Sequence, residues 1–340
     1  MRWNYGIDLG TENVRLAEPG RETHMEVPAL LALRDGWDGP VAAGQAAHVL
    51  LGRTGPETRL VTPLRDGVLE NNLYAEQLLS WLLGQREEGR RARRLAVLIT
   101  QAPHARPVQQ DALLRAALDA GATEAALLRS DVAAALGAGF DPLSPEGFML
   151  VNVGAGAMTA SVFTMGRTAA SQTLPYGLNR VEELLIRALR SEHGFVIGRR
   201  AATELKHTLG SAATTAEGAP MQVAGLDMVK RLPQMRAVEP ELVHQATEGL
   251  TRELVQLCVS VLESIPEELA ADLNNAGLAL TGGGALMPGL DKRLGDALGI
   301  ACHITEAPAA CAIKGLGAYM NASYRWETAL RWALSPVARR

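Results

Sequence analysis

The chain has 340 residues, 47% of them hydrophobic and 21% charged, and a formal net charge of −4. This length suffices for two domains of roughly 150 residues each, and the weakly acidic balance gives no reason to expect nucleic acid as the main partner. The odd number and wide separation of Cys258, Cys302 and Cys311 argue against a disulfide framework or a zinc site. With neither a signal peptide nor an apolar run of about 18 residues, the sequence predicts a cytoplasmic protein.

The first half of the chain predicts a hairpin, a region of short extended pieces, and then alternating helices and strands. Apolar residues recur at helical spacing over residues 72–84, whereas residues 95–100 form the continuous apolar run typical of a buried strand. A turn with two prolines at residues 141–145 marks the predicted boundary between two halves. The predicted elements are a hairpin over residues 1–24, extended pieces over 25–70, a helix over 72–84, a polar loop over 84–94, a strand over 95–100, a helix over 109–120, a strand over 125–128 and a helix over 131–137.

The second half repeats this plan, beginning with hairpins that continue to residue 174. A long amphipathic helix is predicted between Leu242 and Val261, because apolar residues recur there at helical spacing. Residues 213–240 are predicted to be short and irregular. The remaining predicted elements are helices over 178–191, 199–209 and 290–298, a strand over 277–280 and a tail over 322–340.

Glycine-bearing turns follow apolar runs at three places. Residues 6–13 pass through Asp8 into a turn that can direct backbone N–H groups at a phosphate, while the acid faces a metal or its water shell. Residues 148–158 partially repeat this pattern, which suggests duplicated halves that hold one ligand from opposite sides. Residues 280–286 join a strand to a helix, where glycines let a nucleotide approach the backbone closely. Each motif alone is also typical of an ordinary tight turn, but the three in this order favour a nucleotide site.

In their order along the chain, these motifs resemble the actin/Hsp70/sugar-kinase superfamily, and specifically the MreB-like bacterial actins. Residues 51–54, 63–68, 133–139 and 209–212 are also similar to that family, so the resemblance extends over nearly the whole chain. It implies an α/β, actin-like ATPase fold: a duplicated, two-lobed domain with two small outer subdomains. The implied divisions are lobe I over residues 1–142 with an outer subdomain at about 25–70, lobe II over 143–321 with an outer subdomain at about 213–240, and the tail.

The resemblance further implies ATP or ADP between the lobes, with Mg²⁺ on the side of Asp8. Lys206 matches a family lysine that lies along the adenosine, and residues 282–284 match the adenosine loop. The implied nucleotide contacts are Gly10, Thr11, Glu12, Asn13, Asn152, Gly154, Ala155, Gly156, Ala157, Glu204, Lys206, Gly282, Gly283, Gly284, Ala285 and Leu286.

Three positions of the second phosphate loop depart from the family pattern, and two of these departures weaken the loop. Asn152 stands where the family has an aspartate, and it keeps the shape but loses the charge that holds hydrated Mg²⁺. Ala157 stands where the family has a threonine, so it cannot donate a hydroxyl hydrogen bond; Ala155 likewise replaces a glycine.

The hydrolytic machinery departs further. Ser130 stands at the family's water-positioning glutamate, and Asp131 would need a shift of register to replace that group. Near the adenosine, Thr203 replaces a glutamate, although Glu204 is adjacent. Losing one well-placed group can cost about 10²–10³ in rate. We therefore expect a binder of ATP or ADP that is at most a slow ATPase, unless Asp131 or a serine restores hydrolysis with altered geometry.

The leading functional hypothesis is a cytoskeletal protein that polymerises head to tail into filaments and serves cell shape or the positioning of envelope or organelle machinery. The alternative is a non-polymerising pseudo-ATPase paralogue that scaffolds or caps another MreB. A small-molecule kinase of the same superfamily is disfavoured, because the second phosphate loop lacks a carboxylate base. The implied partners are the protein itself, another MreB and inner-membrane morphogenesis proteins, with no nucleic acid.

Two arginine-bearing segments each leave two interpretations open. The loop at residues 84–94 is either a solvated connection or a surface for anionic lipid at the inner face of the cell membrane, with about 1 kcal/mol available per arginine. The tail is either a helix packed on the body, with Trp326, Leu330, Ala333 and Leu334 on one face, or an interfacial membrane helix. The arginines of the loop are Arg86, Arg90, Arg91, Arg93 and Arg94.

Overall fold

The computed structural model describes residues 3–21, 23–85, 94–141, 143–216, 218–322 and 324–340. The strands of the first half are β1 (Tyr5–Leu9), β2 (Asn13–Ala17), β3 (His24–Pro28), β4 (Leu31–Arg34), β5 (Pro40–Ala43), β6 (Thr58–Val61), β7 (Leu64–Arg65), β8 (Val68–Leu69), β9 (Ala96–Gln101) and β10 (Glu124–Arg129). Its helices are α1 (Gln45–Val49), α2 (Asn72–Gly84), α3 (Pro107–Asp119) and α4 (Ser130–Gly137).

The strands that follow are β11 (Phe148–Val153), β12 (Met158–Thr164), β13 (Arg167–Leu174), β14 (Phe195–Val196), β15 (Met221–Asp227), β16 (Leu232–Val238), β17 (Leu278–Thr281), β18 (Cys302–Ile304) and β19 (Ala338–Arg339). The helices are α5 (Asn179–His193), α6 (Arg199–Leu209), α7 (Pro240–Leu262), α8 (Glu267–Ala276), α9 (Leu290–Leu298), α10 (Cys311–Asn321) and α11 (Tyr324–Ala329). Short 3₁₀ turns lie at Gly283–Leu286, Pro308–Ala310 and Arg331–Ala333.

Each half is built on a sheet with the same strand order. In the first sheet the order is β19-β10-β9-β1-β2-β3, where β1 to β3 form an antiparallel meander and β9 is parallel to β1. In the second sheet the order is β13-β12-β11-β17-β18, where β11 to β13 form the meander and β17 is parallel to β11. This repetition confirms the predicted α/β fold with two duplicated lobes.

The parallel strands at the centre of both sheets are buried on both faces. The side chains of Val97, Leu98 and Ile99 in β9 are fully buried, as are those of Leu278 and Leu280 in β17. Strands of this kind appear in a sequence as continuous apolar runs. This is why the sequence located both strands closely.

Helices α4 and α10 hold the two lobes together through a close crossing. Each helix follows the last parallel strand of its own sheet, so the two are equivalent in the duplicated plan. A Cβ added at Gly137 would overlap the carbonyl of Cys311, and one added at Gly315 would overlap the carbonyl of Ala133. Because protein interiors are close-packed, glycine is needed at both positions to let the backbones touch.

Residues 213–240 differ from the prediction of short, irregular structure. Strands β15 and β16 pair along their whole length as an antiparallel hairpin, and β14 pairs with β15. The hairpin turn is organised by Asp227, whose carboxylate accepts hydrogen bonds from the backbone N–H groups of Val229 and Lys230. Gly225 and Pro233 lie within the strands, and both residue types are depleted in strands, which obscured the pattern.

The tail also differs from the prediction of one amphipathic helix. Helix α11 ends at Ala329, and the chain then returns to the first sheet, where β19 pairs with β10. Leu330 and Ala333 are buried in the core around α4 and α10, with Trp326 and Leu334 packed against it. The apolar side chains that would have faced a membrane are therefore covered by the protein itself.

Most of the arginine-rich loop lies outside the described residues. Its last arginine, Arg94, is described, and its guanidinium lies 2.6 Å from a carboxylate oxygen of Glu124. Within the described part of the chain, no helix is both long enough and apolar enough to cross a bilayer.

The crossing of α4 and α10 makes Gly315→Ala a test of the packing. The added methyl group must push the two helices apart, so we expect the free energy of unfolding to fall by about 2–3 kcal/mol, as in other overpacked cores. The matched control is Gly317→Ala in the same helix, where no atom lies within 4 Å of an added Cβ. Its stability should be unchanged or slightly raised. Equal thermal midpoints for the two variants would contradict the packing account.

Candidate functional site

Two glycine turns of identical construction end the first strand of each lobe. In the first, the N–H of Gly10 donates to the carbonyl of Asn13 at 3.0 Å; in the second, the N–H of Gly154 donates to the carbonyl of Ala157 at 2.9 Å. An added Cβ would come within 2.6 Å of the Asn13 oxygen in the first turn and 2.8 Å of the Ala157 oxygen in the second. The close approach explains why each turn begins with glycine.

The two turns face each other across the boundary between the lobes. A Cβ added at Gly156 would overlap the hydroxyl of Thr11 and would lie 2.8 Å from the backbone nitrogen of Gly67. The lobes therefore touch at this point, and only a glycine leaves room for the contact. The structure is closed at the turns.

Beside the turns lies a cleft of about 500 Å³, within the size range of small-molecule sites. Its walls come from both lobes and bring together most of the residues that the sequence singled out. Those residues are Asp8, Gly10, Thr11, Glu12, Asn13, Ser130, Asn152, Gly154, Ala155, Gly156, Ala157, Thr203, Lys206, Gly282, Gly283 and Gly284.

Asp131 does not reach the cleft. Asp131 belongs to the first turn of α4, and its side chain is fully buried. One carboxylate oxygen lies 2.6 Å from the guanidinium of Arg129 and accepts a hydrogen bond from Ser161 at 3.0 Å. Its oxygens are occupied by structural partners, which disfavours the prediction that Asp131 orders an attacking water. Ser130, by contrast, lines the cleft.

Three further expected contacts also lie away from the cleft wall. Glu204 is exposed on α6 and does not line the cleft, unlike its neighbours Thr203 and Lys206. Ala285 is fully buried in the core of lobe II, and Leu286 is 62% exposed. The 3₁₀ turn after Gly282 rotates these two side chains away from the cleft.

The sequence missed Glu182, a buried acid of α5 that lines the cleft. Its carboxylate accepts a hydrogen bond from Lys206 at 2.6 Å, and its other oxygen lies 3.4 Å from Arg199. A signal was present, because Glu182 shares a helical face with the buried residues Leu185 and Leu189. An acid in an apolar stripe requires a partner, and Lys206 supplies it.

Glu12 and Arg199 form an ion pair between the lobes. The guanidinium of Arg199 lies 3.0 Å from a carboxylate oxygen of Glu12, and both side chains are partly exposed. Because Arg199 also contacts Glu182, one guanidinium joins the first phosphate loop to the wall of lobe II.

The sequence also missed Arg15, which lies directly across the hairpin from Asp8. Its guanidinium is 3.4 Å from the Asp8 carboxylate, and Thr100 donates a hydrogen bond to the same carboxylate at 2.8 Å. Burial raises the pKa of the Asp8 carboxyl, while Arg15 and Thr100 act to lower it.

The side chains of Asp8 and Asn152 do not form the kind of metal site in which two carboxylates hold the ion. The Asp8 carboxylate is already engaged by a cation and a hydroxyl, and Asn152 offers a neutral amide where a second carboxylate would be needed. Mg²⁺ in nucleotide sites is usually held by one or two carboxylates together with phosphates. Among the described residues, no group of three or more His, Cys, Asp or Glu side chains could hold a metal ion.

The cleft does fit a nucleotide. Gly282 lines the cleft with a φ of +83°, and an added Cβ there would lie 2.5 Å from the side-chain oxygen of Asn152, so glycine lets this turn pack closely against β11. The side-chain oxygens of Gln101 and Asn179 are buried at the cleft and lack a hydrogen-bond partner within the described protein. Such orphaned acceptors are what a polar ligand would satisfy.

Two equivalent lobes, meeting at glycine turns beside a shared cleft, define a protein of the actin-like class. The MreB/Mbl protein family model matches residues 2–328, and the chain therefore belongs to the MreB/Mbl family, which confirms the predicted resemblance.

Individual relatives agree with this assignment. The chain is 30% identical to the cell shape-determining protein MreB of Escherichia coli, over 92% of this chain and 91% of that protein. It is 29% identical to the cell shape-determining protein Mbl of Bacillus subtilis, over 93% of this chain and 95% of that protein. The crystal structure of Spiroplasma citri MreB5 bound to ADP matches with a TM-score of 0.86 and 27% identity, covering 93% of this chain and 95% of that one.

The ion pairs of Glu182 and Glu12 at the cleft predict different losses of stability when either carboxylate is replaced by a neutral amide. Glu182→Gln removes a buried charge from two cations, so we expect the free energy of unfolding to fall by about 3 kcal/mol or more. The matched control is Glu12→Gln, which breaks a partly exposed pair and should cost less than about 1 kcal/mol. Urea denaturation measures both. A loss for Glu182→Gln no larger than that for Glu12→Gln would contradict this ranking.

Proposed function

We propose that this chain binds ATP or ADP in the cleft between its lobes. The observation that carries the proposal is the pair of identical glycine turns, Gly10–Asn13 and Gly154–Ala157, facing each other beside the cleft. The Spiroplasma citri MreB5 structures bound to ADP and to AMPPNP, at 27% and 26% identity, support it. Glycine turns of this kind can direct backbone N–H groups at a phosphate.

The nucleotide would be held by residues from both lobes. The two turns and the hydroxyl of Thr11 would hold the phosphates, and Lys206 with residues 282–284 would accommodate the adenosine. Glu182 would position Lys206 through their 2.6 Å contact. Glu204, Ala285 and Leu286 have no part in this proposal, because their side chains lie off the cleft wall.

Hydrolysis would be slow or absent. A water that attacks a phosphate must be oriented by a polar group, and Ser130 offers a short hydroxyl where the family has a glutamate. Asp131 is committed to Arg129 and Ser161. Asn152 and Ala157 remove a charge and a hydroxyl from the second phosphate loop.

We further propose that the protein polymerises head to tail into filaments that serve cell shape or the positioning of envelope or organelle machinery. A heterologous interface that does not close generates such a filament. Nucleotide that binds the closed form better would favour assembly, because a ligand shifts a conformational equilibrium toward the state it prefers. The curated relatives are cell shape-determining proteins, which supports the cellular role.

A second candidate is a non-polymerising pseudo-ATPase paralogue that scaffolds or caps another MreB. The inward orientation of Asp131 favours it, since no described acid takes the place of the missing glutamate at Ser130. In either case the proposed partners include another MreB and inner-membrane morphogenesis proteins. Contact with anionic lipid at the inner face of the membrane would rest on residues 86–94, because the apolar side chains of the tail are covered.

High-speed sedimentation of the pure protein with and without ATP tests the filament. We expect a larger pelleted fraction with ATP, and loss of that increase in Gly156→Val, whose side chain would hold the two turns apart. Gly317→Ala is the control and should pellet like the unmodified protein. Absence of pelleting under both conditions, at concentrations well above micromolar, would reject self-assembly and favour the capping paralogue.

Phosphate release from ATP tests the missing water-positioning group. Ser130→Glu should raise the rate by about tenfold or more, because one such group is worth about 10²–10³ in rate and Asn152 still limits the reaction. Asp131→Asn is the control, and it should lower stability without changing phosphate release. If that variant abolishes a measurable activity of the unmodified protein, Asp131 performs the task instead.

A further inference from the structure

Arg15 occupies an unusual position for a charged side chain in the first hairpin. It lies on β2 between two acids on neighbouring strands, Asp8 on β1 and Glu26 on β3, and the three are directly paired in register. Its guanidinium lies 3.4 Å from Asp8 and 2.9 Å from Glu26. Arg15 is only 9% exposed, and the surface that remains open lines the cleft.

The duplicated lobe offers an internal comparison. Strands β11 and β12 repeat the geometry of β1 and β2, and the pair equivalent to Asp8 and Arg15 is Asn152 and Thr159. Both members of that second pair are neutral, and Thr159 is hydrogen-bonded to Thr173. The chain thus lacks a carboxylate on one side of the cleft and pairs the carboxylate on the other side with a cation that Glu26 shares.

The same balance holds throughout the cleft. Among the described residues that line it, the carboxylates are Asp8, Glu12 and Glu182, and each has a cationic group within 3.4 Å. A divalent cation entering with a nucleotide would therefore meet no carboxylate that is free of a positive partner. It would have to compete with an arginine or a lysine for any carboxylate ligand.

Arg15 retains a free donor. A guanidinium has five N–H donors, of which one on Nη1 contacts Asp8 and one on Nη2 contacts Glu26; the Nε is buried out of contact with solvent, so the donors left for a ligand are the remaining Nη hydrogens. Guanidinium groups bind phosphates strongly because their planar, permanently charged donors match phosphate oxygens. A buried guanidinium at the cleft wall, with a donor to spare, has the chemistry of an anion ligand.

We propose that Arg15 supplies the positive charge that an acidic pair would otherwise recruit as Mg²⁺, so that this chain binds ADP and ATP without requiring a divalent cation. The inference rests on the proposed nucleotide site and concerns how that site compensates the phosphate charge. Asp8 then acts as a positioning residue: with Glu26 and Thr100 it fixes the guanidinium at the cleft wall.

Calorimetric titration of the full-length protein with ADP, in excess Mg²⁺ and in excess EDTA, tests this role. For the unmodified protein, the dissociation constants under the two conditions should agree within about threefold. Arg15→Leu frees the Asp8 carboxylate, so its affinity in EDTA should fall by about tenfold or more and should be recovered in part by Mg²⁺. Thermal unfolding before the titration verifies that the variant is folded.

Two further variants keep the test decisive. Arg15→Lys retains the buried charge and should still bind ADP in EDTA even if Arg15→Leu does not fold. Arg21→Leu is the matched control, because Arg21 lies just beyond the same hairpin, forms an exposed ion pair with Glu18 and does not line the cleft; its EDTA-resistant binding should persist.

The outcomes separate the two levels of the proposal. Tenfold or greater loss of ADP binding on adding EDTA to the unmodified protein would overturn the role of Arg15 while leaving the nucleotide site in place. Equal loss of affinity by folded Arg15→Leu with and without Mg²⁺ would also overturn it, since the arginine would then be structural. No ADP binding by the unmodified protein under either condition would reject the nucleotide site itself.

Discussion

The close crossing of α4 and α10 is the constraint on which the rest of the structure depends. Each helix follows the final parallel strand of its own sheet in the chain. The contact between the two helices therefore sets the orientation of the two sheets. The contact tolerates only backbone at Gly137 and Gly315. Because the helices cannot separate without opening a void in a close-packed core, their contact also holds the glycine turns face to face, at the same ends of the parallel strands. Both helices line the cleft as well, through Ser130 and Ala134 of α4 and Cys311 and Ala312 of α10.

Electrostatic pairing then shapes what the cleft can accept. Glu182 is buried and shared by Lys206 and Arg199, so its charge stiffens the wall of lobe II rather than attracting a metal. The Glu12–Arg199 pair, which joins the two lobes, is more exposed and correspondingly weaker. Among the described residues, the buried ion pairs thus lie within a lobe, whereas the ion pair between the lobes is partly exposed.

Local signals in the sequence located the glycine turns and the buried strands, and the order of these motifs along the chain supplied the resemblance from which the fold was predicted. Turns that begin with Gly10 and Gly154, and buried strands such as Ala96–Gln101, are specified by neighbouring residues. What the sequence could not provide were pairings across strands and helices. Arg15 meets Asp8 only because of hairpin register, Lys206 meets Glu182 only because α5 and α6 pack together, and the orientation of Asp131 depends on Arg129 and Ser161. Such contacts depend on tertiary structure, which carries no local pattern.

The pairing of β19 with β10 means that the first sheet is completed by a strand that comes late in the chain. The edge of β10 is covered by residues that follow the entire second lobe, with Glu124 opposite Arg339. During synthesis, lobe I therefore exists with an open strand edge until the tail emerges and docks. An open edge is a template for pairing with other chains, and contacts of such long sequence separation form slowly because loop-closure entropy opposes them. Docking of the tail therefore also protects the edge of the first sheet from pairing with other chains. Conditions that delay this docking favour aggregation.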